Sequence, residues 1–351
     1  MMVSEATTKA AYRVAEMAEG DEARWDDFVK SSANGTFFHL SGWKRVIEET
    51  LKHPTHYLYC ERDGEIVAVL PLAQVSSWLF GNALISLPFL VYGGVVGADA
   101  SAETELVEAA CRHAERLGVD HLELRNTTPS GRGWPLKDQY VTFTKQLDPD
   151  PEKNLLAIPR KQRAMIRKGI KAELVAEVDH SVDRLYDALL ECKRNLGTPF
   201  FNKAYLAAVY EAFGDAVEIL TVTRGRELIA SVMSFRFKNR ILPYYGGGGE
   251  AARAVKGNDF MYWAVMEKAC EAGVEVFDYG RSMVGTGAYR FKKHWGFEPT
   301  PLAYEYYLVK SDEPPNLNPS NPKYRLLIDT WKRLPLAVAG RIGPPLARRL
   351  G

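Results

Sequence analysis

Apolar and polar positions along this chain follow one succession of periods twice. From Phe37 the chain reads FFHLSGWKRVIEETLKHPTHYLYCERDGEIVAVLPL, and from Phe200 it reads FFNKAYLAAVYEAFGDAVEILTVTRGRELIASVMSF. Each stretch opens on Phe-Phe followed by His or Asn, continues with helical spacing, and enters a strand-like run over 57–61 or 219–223. Gly64 and Gly225 then supply turns into second runs over 66–72 and 228–237, so the pattern predicts two β-hairpins.

The parallel continues downstream. Residues 92–125 and 245–281 each show a strand ending in Tyr-Gly-Gly, a loop, a long helix, a glycine and a strand ending in arginine (Arg125, Arg281). Gly118 and Gly273 stand where a helix end needs a left-handed residue. The helix expected over 259–272 is apolar on most sides, through Phe260, Met261, Trp263, Val265, Met266 and Ala269, which predicts burial against a sheet. A collinear match over six elements points to internal duplication.

Asp-Pro-Asp-Pro marks a boundary near residue 150, and Pro159 suits a first helical position. A helix over about 287–295, a stop at Gly296 and a strand over 303–309 close the second copy. Residues 311–322 read as a Pro/Asn linker before a basic tail. The expected division is therefore a first lobe over 1–150, a second over 151–310, and a linker with tail over 311–351. The fold class is α/β, with mixed sheets in two tandem lobes.

Composition narrows the class. The chain has 351 residues, 46% hydrophobic and 25% charged, as in ordinary globular proteins. Its four cysteines, Cys60, Cys111, Cys192 and Cys270, lie far apart and form no zinc or redox motif. No signal-like apolar region or long apolar run is present, which predicts a cytoplasmic, reduced protein. The net charge of +1 is a cancellation: residues 323–351 hold seven bases and one acid, +6, leaving −5 on residues 1–322.

The element order, and above all the run VFDYGRSMVGTGAYRFKKHWGFEPTPLAYEYYL, resembles the GNAT acyltransferases. Within them it is similar to the FemAB-like branch with two lobes per chain, and in particular to proteins associated with PEP-CTERM/exosortase exopolysaccharide systems. The resemblance covers roughly residues 25–310. It implies acyl or aminoacyl transfer to an amine of a cell-envelope or exopolysaccharide precursor, from acyl-CoA or aminoacyl-tRNA, with no metal.

Such a transfer needs an anchor for donor phosphates, a group facing the developing oxyanion and a route for the amine proton. The candidate anchor is the stretch with Arg253, Lys256, Gly257 and Asn258 before the buried helix. It departs from the family pattern by a lysine where the first glycine is expected, and Asp259 stands where an N-cap would compete with phosphate. Both features count against coenzyme A. The corresponding loop of the first copy carries acids and no base, which assigns chemistry to the second lobe. There Asp278 and Arg281 lie at a strand end, with Tyr289 and Lys292 on the following helix. In this reading a lysine, Arg281 or the Tyr289 hydroxyl stabilises the oxyanion, and Asp278 accepts or relays the amine proton. The family's run favours Lys292 over Lys293.

Between the lobes, residues 160–171 hold six bases and no acid. Arg160, Lys161, Arg163 and Arg167 are the expected contacts to a nucleotide-linked or lipid-linked substrate or to a tRNA backbone. His39 and Trp43 are substrate-side candidates at the start of the first repeat. The tail interleaves apolar and basic residues in the manner of an anchor on anionic membrane, at the inner face; Pro335, Pro344 and Pro345 divide it into short pieces. Two rival readings are a scaffold protein of a membrane-associated exopolysaccharide machinery and a tRNA-binding protein without transfer chemistry. The oligomeric state stays open.

Overall fold

The computed structural model describes residues 11–77, 81–315 and 322–349, so the middle of the expected linker lies outside the described residues. The N-terminal part forms β1 (Arg13–Glu16), α1 (Glu22–Ser31), α2 (Gly42–Val46), β2 (Thr55–Arg62), β3 (Glu65–Ser77), β4 (Gly81–Ile85), β5 (Val96–Gly97), α3 (Ala100–Leu117), β6 (His121–Asn126), β7 (Leu136–Lys137) and β8 (Tyr140–Gln146). Next come α4 (Pro151–Ala157), α5 (Arg160–Lys171), β9 (Val175–Asp179), α6 (Asp183–Leu196), α7 (Lys203–Phe213), β10 (Val217–Arg224), β11 (Glu227–Phe237) and β12 (Arg240–Gly247). The chain continues through α8 (Glu250–Val255), α9 (Gly257–Glu271), β13 (Val276–Asp278), β14 (Ser282–Met283), α10 (Gly287–His294), β15 (Pro299–Pro301), β16 (Ala303–Leu308), α11 (Pro322–Trp331) and α12 (Leu336–Ala347).

Both hairpins form where the alternation places them. The first turns at Asp63 (φ +54°) and Gly64 (φ +83°), two consecutive left-handed residues of the kind that match strand twist. Each hairpin leads to a strand, a helical crossover and a parallel return strand: β4 to β6 across α3, and β12 to β13 across α8 and α9. The first sheet runs β1-β2-β3-β4-β6-β16-β7, with β5 beside β3; the second runs β14-β8-β13-β12-β11-β10-β9, with β15 on β8.

Two features differ from the linear reading. β8, inside the stretch expected as the first lobe, pairs with β13 of the second, while β16 returns to pair with β6 of the first. A cut at residue 150 therefore does not separate the sheets, because each completes itself with a strand from the other side of the cut. The strand ending in Tyr-Gly-Gly exists only in the second copy. In the first, β4 ends at Ile85, and residues 86–95 form an irregular loop with Leu87, Phe89 and Tyr92 at positive φ.

A shared core joins the lobes. Phe37, Phe38 and Trp43 of the first lobe pack against Phe213 and Phe235 of the second. Gly42 allows this approach, since a β-carbon there would sit 2.8 Å from the Phe213 ring. On the far side of the second sheet, α9 is buried as its apolar pattern predicts, between the sheet and α5. α5 turns Gln162, Ile166 and Gly169 inward, whereas Ile170 is exposed.

Candidate active site

β13 delivers Asp278 to the lobe junction, where it is 1% exposed. Its carboxylate accepts hydrogen bonds from the Gly280 amide (2.7 Å), the Tyr92 hydroxyl (3.0 Å) and Arg240 Nη1 (3.1 Å). Burial raises the proton affinity of this carboxyl, and the Arg240 guanidinium opposes the rise. Tyr92 comes from the irregular loop of the first lobe. Arg125 Nη1 fixes that loop by donating to Leu87 O (3.1 Å) and Leu90 O (2.9 Å), and Tyr244 Oη donates to Phe89 O (3.2 Å).

After Asp278 the chain turns through Gly280 (φ +64°) into α10, which Thr286 caps by accepting from the Tyr289 amide. Lys292 is buried on the inner side of α10. Its Nζ donates to Gly280 O (2.9 Å) and Arg281 O (3.0 Å) and lies 5.6 Å from the centre of the Phe143 ring. Burial lowers its pKa from 10.5 to about 7, with Asp278 opposing and Arg281 assisting that shift. Lys293, by contrast, is exposed.

Arg281 lies 4.6 Å from the Tyr140 ring centre and donates to Tyr304 Oη at 3.0 Å. Arg125, at the matching strand end of the first lobe, lies 5.5 Å from the Tyr304 ring. The two copies thus place equivalent arginines about one tyrosine of the exchanged strand β16. Arg125 is held by Glu123 at 2.7 Å in a buried ion pair. The Tyr289 ring packs on Phe143, beside Lys292, with centroids 5.5 Å apart. Asp278, Arg281, Tyr289 and Lys292 therefore form one cluster.

The anchor loop keeps its turn despite the lysine. Lys256 adopts φ +61° and ψ 36°, the left-handed geometry that a glycine would take without cost. A β-carbon at Gly257 would sit 2.3 Å from Ile229, so this glycine is required for packing. The capping role of Asp259 does not hold. α9 begins at Gly257, and the Asp259 carboxylate instead accepts a hydrogen bond from Gln162 of α5. Asn258 Oδ1 is buried without a hydrogen-bond partner, and Arg253 is exposed at the end of α8.

The Gln162–Asp259 contact sets the first turn of α5 beside the first turn of α9. Arg160, Lys161, Arg167, Lys168 and Lys171 are exposed, while Arg163 is half-buried and donates to Leu156 O. Among the described residues no carboxylate lies within ion-pair distance of any of them, nor of Arg253 or Lys256.

His39 and Trp43 are core residues rather than substrate-side groups. The His39 ring bonds Gly94 O (2.8 Å) and Thr36 Oγ1 (2.8 Å), and burial lowers its pKa to about 4. Trp43 is wholly buried and donates to Phe37 O. Sequence reasoning missed Tyr92, Arg240, Tyr140, Phe143 and Tyr304. Only Tyr92 left a signal, as the tyrosine of the repeated Tyr-Gly-Gly.

Residues 157–293 match the family described as acetyltransferase (GNAT) domain. The chain carries a GNAT acyltransferase domain. That match spans the basic helix, the anchor loop and the cluster up to α10. No curated protein matched in sequence. Among solved structures, the chain resembles FemX at a TM-score of 0.66 and 15% identity, over 90% of this chain and 100% of that one. A tandem GNAT protein from the clavulanic acid biosynthesis pathway gives 0.56 and 14%, over 86% and 100%. The C-terminal domain of a putative lysylphosphatidylglycerol synthetase from Agrobacterium fabrum gives 0.54 and 14%, over 81% and 91%. At these identities the likeness is one of fold, a mixed α/β architecture of tandem GNAT lobes.

Proposed function

We propose that this GNAT protein transfers an aminoacyl group from tRNA to an amine of a phosphate-bearing cell-envelope or exopolysaccharide precursor. The observation that carries the transfer chemistry is Lys292, a buried ammonium pinned against two backbone carbonyls at the end of β13. Two of its protons are engaged, and the third is the donor for the tetrahedral oxyanion. The amine attacks the donor carbonyl carbon, the oxyanion collapses, and the bond to the leaving ribose oxygen breaks. The amine's surplus proton goes to that oxygen. Asp278, enclosed and already accepting four hydrogen bonds, acts as a positioning residue for the 280–281 turn rather than as a proton acceptor.

The choice of donor rests on the extent of unpaired charge. α5 has 12 residues, about 18 Å of helix, and its bases continue the cationic start of α9. That reach exceeds one pyrophosphate and suits a nucleic-acid backbone. A second reading takes acyl-CoA as donor, favoured by the preserved turn at Lys256 and by the acetyltransferase match. The envelope or exopolysaccharide acceptor is supported by the resemblance of the run through α10 and β16 to PEP-CTERM-associated proteins.

Single-turnover transfer from charged tRNA and from acetyl-CoA to a small primary amine separates the donors. The aminoacyl reading expects transfer from tRNA, weakening steeply with salt, and a reduced salt slope in Arg167→Glu/Lys171→Glu. Transfer from acetyl-CoA alone would overturn it.

A further inference from the structure

The transfer chemistry leaves the C-terminal segment of α11 and α12 without a role. Its inner face is well fastened. Trp331, Ala339, Gly343 and Ala347 are buried, and a β-carbon on Gly340 would come within 3.2 Å of Leu190 on α6. Its outer face is apolar and open. Leu326 of α11 is 76% exposed; on α12 Val338, Ile342 and Leu346, spaced four apart, are each 41–45% exposed. Arg341 follows Val338 by three positions on α12, and Arg348 and Arg349 stand just past the end of the helix.

At the end of α12 lies a cavity of about 330 Å³ lined by Lys52, His53, Gln74, Ser76, Arg348 and Arg349, with no acid in its wall. His53 Nε2 donates to Arg348 O at 2.6 Å, which ties the tail to the first lobe and fixes the mouth of the cavity. A cationic cavity thus adjoins an apolar ridge. Phosphate has its place in the cavity and acyl chains have theirs along the ridge.

We propose that the α11–α12 face docks on a bilayer surface rich in anionic phospholipid, with the Lys52/Arg348/Arg349 cavity taking a headgroup phosphate. Charge favours the orientation, since residues 323–351 carry +6 while the remainder is −5 in net, so an anionic surface attracts this face. The ridge selects a membrane over a nucleic acid, whose backbone offers nothing to Ile342 or Leu346. Among the described residues no helix is long and apolar enough to cross a membrane, so the contact is peripheral.

The test is co-sedimentation of the full chain with vesicles of phosphatidylcholine alone and of phosphatidylcholine with 30% phosphatidylglycerol (a fraction of about one third suffices for a strong surface potential). The expected result is binding to the anionic vesicles, weakened by salt, and little binding to the neutral ones. Arg348→Glu/Arg349→Glu should weaken anionic binding by more than about tenfold. Ile342→Glu/Leu346→Glu should weaken it similarly with an unchanged urea midpoint, since both side chains are exposed. Failure of the wild type to bind anionic vesicles, or full binding by the Ile342/Leu346 variant, overturns the proposal. Loss of tRNA binding instead of vesicle binding in the arginine variant also overturns it, in favour of a nucleic-acid surface. Vesicle binding needs neither donor nor acceptor, so a negative result leaves the transfer reading intact.

Discussion

Lys292→Met separates the catalytic reading from a merely structural one, because the lysine carries a cost that its removal relieves. Burial lowers the side chain's pKa from 10.5 to about 7, which puts the cost of holding it charged on the order of 5 kcal/mol. The folded group binds fewer protons than the unfolded one between those values, so its penalty is full below pH 7 and fades as pH rises toward 10. Methionine removes the penalty but leaves Gly280 O and Arg281 O without their donor, a loss of about 1–3 kcal/mol each at most. The variant should therefore fall below the wild type in stability near pH 10 and recover toward it or past it near pH 6. Urea midpoints at the two pH values measure this.

Turnover should move the other way. Loss of an oxyanion donor costs about 10²–10³ in kcat. Because the donor is the protonated lysine, wild-type kcat should decline as pH rises through about 7. Single-turnover rates across pH 6–9 give the profile (a window of roughly one to two units either side of the shifted value). A Lys292→Met variant within about threefold of the wild-type rate would refute the reasoning. A rate that climbs through pH 7 would instead make the neutral amine a base.

Three further outcomes follow from the site's supports. Tyr92→Phe removes a donor to the buried Asp278 carboxylate and should cost about 2 kcal/mol in urea unfolding, while leaving the first sheet's own hairpin intact. Arg125→Ala leaves Glu123 buried and unpaired and should cost about 3–5 kcal/mol by denaturation at pH 7. Burial alone would raise the Glu123 carboxyl, but Arg125 more than offsets this and holds it below the usual range, so wild-type stability from this pair is lost on acidification below about pH 4. Gly257→Ala places a methyl 2.3 Å from Ile229 and should destabilise by about 1–3 kcal/mol, with a lowered thermal midpoint as readout.

Local signals settled the elements. The hairpins at Gly64 and Gly225, the buried helix α9 and the helix of Lys292 all follow from period, glycine placement and apolar content over neighbouring residues. The second-lobe cluster was legible too, because Asp278, Arg281, Tyr289 and Lys292 fall on one strand end and the next helix. The same local reading misjudged Asp259, since whether a carboxylate caps its own helix depends on a competing partner, here Gln162 from α5.

Only the tertiary structure decided which strands complete which sheet. The strand read over 303–309 carries no address, so the exchange of β8 and β16 between sheets is invisible in sequence. That exchange carries Phe143 to Lys292 and sets Tyr304 between Arg125 and Arg281. It also sets the partner of Asp278, Tyr92, which lies 186 positions away. The physical reason is that period and propensity act between neighbours in the chain. Burial of a side chain is set by whichever distant segment packs against it, as it is for His39, Trp43 and Lys292.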